Sequence, residues 1–111
     1  WMEVETGDIK AMVNLDKDSL GRYYEGRNHA IADLLEPGSV FKTASILTAI
    51  DDGYIKDTAN CIVHTGCGIM EMYGAKMRDH NWRRGGYGVL TVPQVLYYSS
   101  NIGVSRLIDR A

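Results

Sequence analysis

No stretch of this sequence stays apolar for the roughly 18 residues a helix needs to cross a bilayer, and no signal peptide opens it. Charge of one sign is missing too: 12 basic against 14 acidic side chains leave a net charge of −2. That balance offers no electrostatic footing for nucleic acid or for an anionic membrane, and neither is expected as a partner. Cysteine is scarce. Cys61 and Cys67 could pair across a short loop, but two thiols make no disulfide framework and fix no redox compartment. Internal repeats and low-complexity tracts are absent.

What remains is the composition of a soluble globular protein, 45% hydrophobic and 23% charged, in 111 residues. That length allows at most one domain with a modest core. An apolar alternation is already under way at Trp1, and a helical pattern is still running at Ala111. The expectation is a segment of a longer protein, with any targeting information outside it.

The first fifteen residues read as a β-hairpin. Met2 and Val4 alternate with Glu3 and Glu5; Ile9, Ala11, Val13 and Leu15 repeat with period two, and Thr6-Gly7-Asp8 supplies the turn. Residues 16–35 are polar and irregular, and read as a surface loop. From Ser39 the spacing predicts a helix whose apolar stripe is Val40, Ala44 and Leu47, joined by Phe41 and Ile50, with Gly53 as its stop. Pro37 and Gly38 fix its start, one unable to continue a helix backward and the other free to turn sharply.

Residues 57–89, rich in glycine, read as a long and partly ordered excursion, and a loop of that length inside a compact domain is usually functional. Thr91-Val92-Pro93-Gln94 then announces a second helix: a capping box with proline in the first turn, stapled by Leu90 and Val95. It ends near "YYSSN". A last helix carries Val104, Leu107, Ile108 and Ala111 on one face.

The chemistry gathers in "EPGSVFK". Ser39 and Lys42 stand three apart, on one helix face and roughly 5–6 Å apart at Cβ. A serine hydroxyl needs an adjacent base to act as a nucleophile. A lysine can be that base where burial disfavours its charge. Unpaired N–H groups at the helix start suit a developing oxyanion. The unexceptional reading is a first-turn serine and a solvated lysine. Against it stand the Pro-Gly start, the apolar bulk of Val40 and Phe41, and a tight break between helices at Ser99, Ser100 and Asn101.

"EPGSVFK" followed by "YSSNIG" resembles the transpeptidase domain of penicillin-binding proteins, most closely the monofunctional class B type. The resemblance covers nearly the whole chain, including "VETGDIKAMVNL" and the Asn28-His29-Ala30 triplet. It implies an α+β, penicillin-binding-protein/serine β-lactamase-like fold, of which residues 1–111 are one partial transpeptidase domain: an N-terminal β-hairpin and a mainly helical remainder, made of the active-site helix, the glycine-rich segment and two short helices.

It implies that Ser39 is the acylated nucleophile and Lys42 its base. Ser99 would relay a proton between Lys42 and the leaving group, and Asn101 would hydrogen-bond the substrate amide and Lys42. The implied reaction is D,D-transpeptidation of peptidoglycan stem peptides at D-Ala-D-Ala, trapped by β-lactams, without cofactor or metal. The implied location is the extracytoplasmic, periplasmic face of the bacterial cytoplasmic membrane, with the anchor outside these residues and no membrane contact from them. The family's third motif, Lys-Thr/Ser-Gly on a strand that supplies the second oxyanion donor, does not occur here. These residues alone are therefore expected to be inactive. Without the sheet strands that follow that motif, the hairpin is expected to pair with a second copy, giving a homodimer through residues 1–15.

Two alternatives come from other classes. Cys61, His64 and Cys67, with His80 further on, offer four nitrogen and sulfur ligands for a closed zinc site. Their C-x-x-H-x-x-C spacing follows no established zinc pattern, and small buried thiols beside exposed histidines explain it as well. A non-catalytic interaction domain would be favoured by a Ser39 walled off from solvent. His29 reads as a loop residue beside the active-site helix. Of the aromatics, Tyr97 is expected in the core, while Tyr87, Tyr98 and Trp82 could line a cleft.

Overall fold

The computed structural model describes residues 1–109, so the expectation for Ala111 lies outside the described residues. The chain forms two compact units, Trp1–Glu36 and a larger one from Pro37 onward.

In the first unit the chain reverses where Gly7 takes φ 77°. The expected hairpin is reduced to a single bridge between Met2 and Ile9, with Glu3 N–H donating to the Asp8 carbonyl at 2.8 Å. Lys10 N–H and Ala11 N–H both reach the Trp1 carbonyl, and residues 12–15 pair with no strand among the described residues, although their alternation is strand-like. An isolated two-stranded ribbon is marginal, and among the described residues no third strand supports it. The expected loop over 16–35 holds three short elements: β1 (Asp16–Lys17) pairs antiparallel with β2 (Tyr23–Tyr24), and α1 spans His29–Ala32.

His29 therefore opens a helix rather than sitting in a loop. Its Nδ1 lies 2.7 Å from Asp33 Oδ2 and its Nε2 2.8 Å from Asp16 Oδ1. A neutral imidazole has one N–H, so both contacts are hydrogen bonds only when the ring is protonated. The two carboxylates accordingly raise the His29 pKa, Asp33 most. Asp16 is lowered in turn, first by its bond to His29 and then by Arg27 N–H.

The second unit carries the core. A 3-10 turn, Gly38–Val40, leads into α2 (Phe41–Asp51), which Gly53 terminates at φ 78°. The expected stripe is not the buried one: Val40, Phe41, Ala44, Leu47 and Ile50 face solvent, and Ile46 and Ala49 are buried. Helix α2 is apolar on several sides, so periodicity could not choose among them. The inward stripe runs Lys42, Ser45, Ile46, Ala49, which takes the lysine with it.

Residues 57–89 are built, not irregular. Strand β3 (Ile62–Gly66) pairs antiparallel with β6 (Gly88–Thr91) in the register Val63 to Leu90, with a bulge between His64 and Gly66. Val63 and Thr65 point inward while Ile62 and His64 point out. Between them β4 (Ile69–Met72) and β5 (Ala75–Arg78) form a tight hairpin, register Met70 to Met77. Its turn is Tyr73-Gly74, both at positive φ, the backbone a two-residue hairpin requires.

Strand β6 runs directly into α3 (Val92–Tyr97), where the Gln94 side chain accepts the Thr91 N–H at 2.9 Å, part of the expected capping box. Helix α4 (Asn101–Ile108) buries Ile102, Gly103, Val104 and Leu107; Ile108 is exposed. It packs on α2, α3, β3 and β5. Leu90 and Val95 join the same core as Ile46, Val63 and Leu107.

Candidate active site

Helix α3 ends in a motif normally closed by glycine. Ser100 N–H reaches back to the Val95 carbonyl at 2.9 Å and Ser99 N–H to Leu96 at 3.0 Å, the two bonds of a Schellman ending. The position that needs left-handed backbone is filled by Ser99, at φ 52°. A side chain there costs about 1–2 kcal/mol. Such strain at a chemically capable residue points toward function.

Into this turn reaches Lys42. Its Nζ donates to the Ser99 carbonyl at 2.6 Å and to Ser99 Oγ at 2.9 Å. An ammonium has three donors, so one remains. Partial burial on the inward stripe of α2 lowers the Lys42 pKa, and the negative charge of Asp79 opposes that fall. The lysine is thus moved toward the neutral form a base requires.

Ser39, in the 3-10 turn one helical turn back from Lys42, is exposed and makes no side-chain hydrogen bond among the described residues. Its exposure removes the observation that would have favoured a non-catalytic interaction domain. Asn101 opens α4, and its amide donates to the Arg78 carbonyl at 2.7 Å. The structure thus joins Lys42 to Ser99 and ties Asn101 to β5; the expected bond between Asn101 and Lys42 is not made.

Sequence reasoning missed Asp79. It is fully buried, accepts from Ser100 Oγ at 2.8 Å and from Ile102 N–H at 3.1 Å, and so brackets Asn101. Ser100 in turn caps α4, accepting the Gly103 N–H at 2.8 Å. A serine before an apolar helix is a legible cap. An aspartate 21 residues upstream carries no such signal.

Tyr98, next to Ser99, stacks on Tyr87 with centroids 4.7 Å apart, and Tyr97 meets it edge-on at 4.9 Å. Tyr97 is therefore on the surface, against expectation: a short helix packed on one side cannot bury every aromatic. Trp82 lies under the guanidinium groups of Arg78 and Arg83. The zinc alternative finds no geometric support: no cluster of three or more potential ligands forms among the described residues, and His80 Nδ1 lies 3.1 Å from Tyr87 Oη. No helix among the described residues is long and apolar enough to cross a membrane.

A family model of the penicillin binding protein transpeptidase domain matches residues 1–110, and the chain belongs to that family. It is 33% identical over 111 residues to the peptidoglycan D,D-transpeptidase FtsI of Escherichia coli, covering 96% of this chain and 18% of that protein. It is 31% identical over 113 residues to the probable peptidoglycan D,D-transpeptidase PenA of Neisseria flavescens, covering 96% and 26%. The chain thus spans about a quarter or less of the relatives' length. In structure it is similar to the apo TP domain of Burkholderia pseudomallei penicillin-binding protein 3, with TM-score 0.65 and 35% identity over 77% of this chain and 24% of that one. The mixed helices and strands are a partial α+β fold of that kind.

Proposed function

We propose that these residues supply the nucleophile, the base and the proton relay of a serine D,D-transpeptidase that cross-links peptidoglycan. Ser39 attacks the carbonyl of the D-Ala-D-Ala bond in a stem peptide and passes its proton to neutral Lys42. The Lys42–Ser99 pair carries that proton on to the departing D-alanine. An amine of a neighbouring strand then takes the acyl group from Ser39. Asn101, whose side-chain oxygen is unused among the described residues, accepts from the substrate amide, and the Ser39 N–H is one oxyanion donor. A β-lactam enters the first half of this cycle and stays on Ser39.

The observation that carries this reading is the bond from Lys42 Nζ to Ser99 Oγ, at 2.9 Å and 57 residues apart in sequence. It brings a lysine with depressed pKa onto the hydroxyl a relay needs. In this reading residues 1–111 are part of one transpeptidase domain on the extracytoplasmic face of the membrane. Labelling with a fluorescent penicillin tests it. The full-length protein carrying these residues should label covalently, and Ser39→Ala should abolish the signal; labelling that survives the substitution overturns the assignment. The 111 residues alone contain no Lys-Thr/Ser-Gly triplet. They should label at least about 10²-fold more slowly, the usual loss for one oxyanion donor.

A further inference from the structure

We propose that Asp79 is a positioning residue for this site: its buried carboxylate, anchored on Ser100 Oγ and Ile102 N–H, holds the Ser99–Asn101 turn against Lys42. The proposal rests on the function assigned above to that turn.

Each Asp79 oxygen takes one bond, and the two donors flank Asn101 on either side. Ser99 adjoins the first of them, in a left-handed conformation that must be imposed by its surroundings. A buried carboxylate is costly to keep, and an apolar residue would fill the space without that cost. Asp79 forms no ion pair among the described residues; its partners are the hydroxyl and the amide alone. The N-terminus of α4, where both donors lie, favours negative charge.

The same carboxylate acts on Lys42 through space. The charged or titratable groups on α2 and on the helices that meet it or carry Ser99 are Asp51 on α2, Tyr97 on α3 and Arg106 on α4, with His64 on β3 and Lys76 and Arg78 on β5 packed against α4. Asp79 is the one whose charge opposes the effect of burial on Lys42. It therefore fixes where the relay hydroxyl stands and how readily its lysine partner gives up a proton.

Asp79→Asn separates charge from shape. The amide can still accept from Ile102 and meet Ser100, so a purely architectural Asp79 would leave Lys42 untouched. The test is made in the full-length protein with 13C-methylated lysines, the Lys42 signal being the one lost in Lys42→Arg. The Lys42 midpoint should move to lower pH in Asp79→Asn, and the alkaline-rising limb of penicillin labelling should follow it. A folded Asp79→Asn protein with an unmoved Lys42 midpoint overturns the proposal. Ser100→Ala tests the positioning, since it removes one anchor and keeps the charge: the Lys42 midpoint should hold while labelling slows by about 10²-fold, as for a displaced reacting group, and unchanged labelling overturns the proposal. Absence of labelling in the unsubstituted protein would instead sink the transpeptidase reading, and the Lys42 titration would still decide the role of Asp79.

Discussion

Lys42 Nζ donates to both the carbonyl and the hydroxyl of Ser99, at 2.6 and 2.9 Å. One cation thereby fixes both the backbone and the side chain of a residue whose φ of 52° is foreign to serine. The inward stripe of α2 delivers the lysine, and the ending of α3 delivers the serine. Neither helix alone makes a site.

That relationship separates stability from function at one position. Glycine is at ease in left-handed backbone, so Ser99→Gly should stabilise the fold by up to about 1 kcal/mol, less what glycine's extra freedom in the unfolded chain takes back. Ser99→Ala keeps the strain and should not stabilise. Both lose the hydroxyl, and both should slow penicillin labelling of the full-length protein by about 10²-fold or more, the scale of general acid–base catalysis. Thermal melts and labelling rates of the two variants together check this. Equal melting temperatures would mean that the turn carries no strain.

Gly103→Ala should destabilise, although it improves helix propensity. Alanine in place of glycine within a helix gains about 1 kcal/mol. Here the added Cβ would lie 2.7 and 2.9 Å from the two methyls of Val95 and 3.0 Å from Ser100 Oγ. A β-branched valine has little rotamer freedom with which to yield. Overpacking of this kind costs about 1–3 kcal/mol, so the net sign is unfavourable. Denaturant melts of the variant should show a lower midpoint, and a higher one would show that α3 and α4 can part without loss.

The first unit should respond to pH through His29. Its pKa is raised above the usual 6.5, so the clasp it forms is fully present below that value and is lost as pH rises through the raised pKa. Asp16 is lowered below the usual 3.8, so its share is present above that value and is lost as pH falls through the lowered pKa. The clasp is therefore tightest between about pH 4 and 6.5. Titration of the ring proton by NMR, assigned with His29→Gln, should give a midpoint above 6.5, and Asp33→Asn should pull it down. A midpoint at or below the ordinary value would mean that the ring does not bridge the two carboxylates.

Much of this molecule could be read before it was seen. Pro37-Gly38 before Ser39, Gly53 after α2, and the capping chemistry of Thr91 and Gln94 are local signals, and each ends or starts an element where the residues say. The strands between Ile62 and Thr91 were hidden for the opposite reason. Strand β3 finds its partner in β6 across an intervening hairpin, and four- or five-residue strands carrying glycine and methionine alternate too briefly to register. Ser39, Lys42, Ser99 and Asn101 were singled out through a family resemblance, and of these the structure brings Lys42 onto Ser99. Asp79 was not: its partners, Ser100 and Ile102, are more than twenty residues away, and nothing near it marks a charge destined for burial.

Residues 1–15 should mediate self-association. None of the first unit's 36 residues is buried within that unit, so its apolar side chains have no core of their own to enter. Trp1, Met2, Val4, Ile9, Val13 and Leu15 are all exposed, several almost completely. Beyond the bonds that tie Trp1 and Glu3 to Asp8, Lys10 and Ala11, the backbone of residues 12–15 pairs with no strand among the described residues and stands open to another one. Pairing with a second copy about a two-fold axis would satisfy those groups and cover the side chains at once. Fully covering one valine contributes about 1.5–3 kcal/mol. Val13→Asp removes that contribution and places a charge in the contact, so it should weaken association by at least about tenfold. Light scattering of the 111-residue chain at micromolar concentration should report a dimer that Val13→Asp dissociates. A monomer at every concentration, with slow hydrogen exchange over residues 1–15, would show that these residues find their cover within one chain.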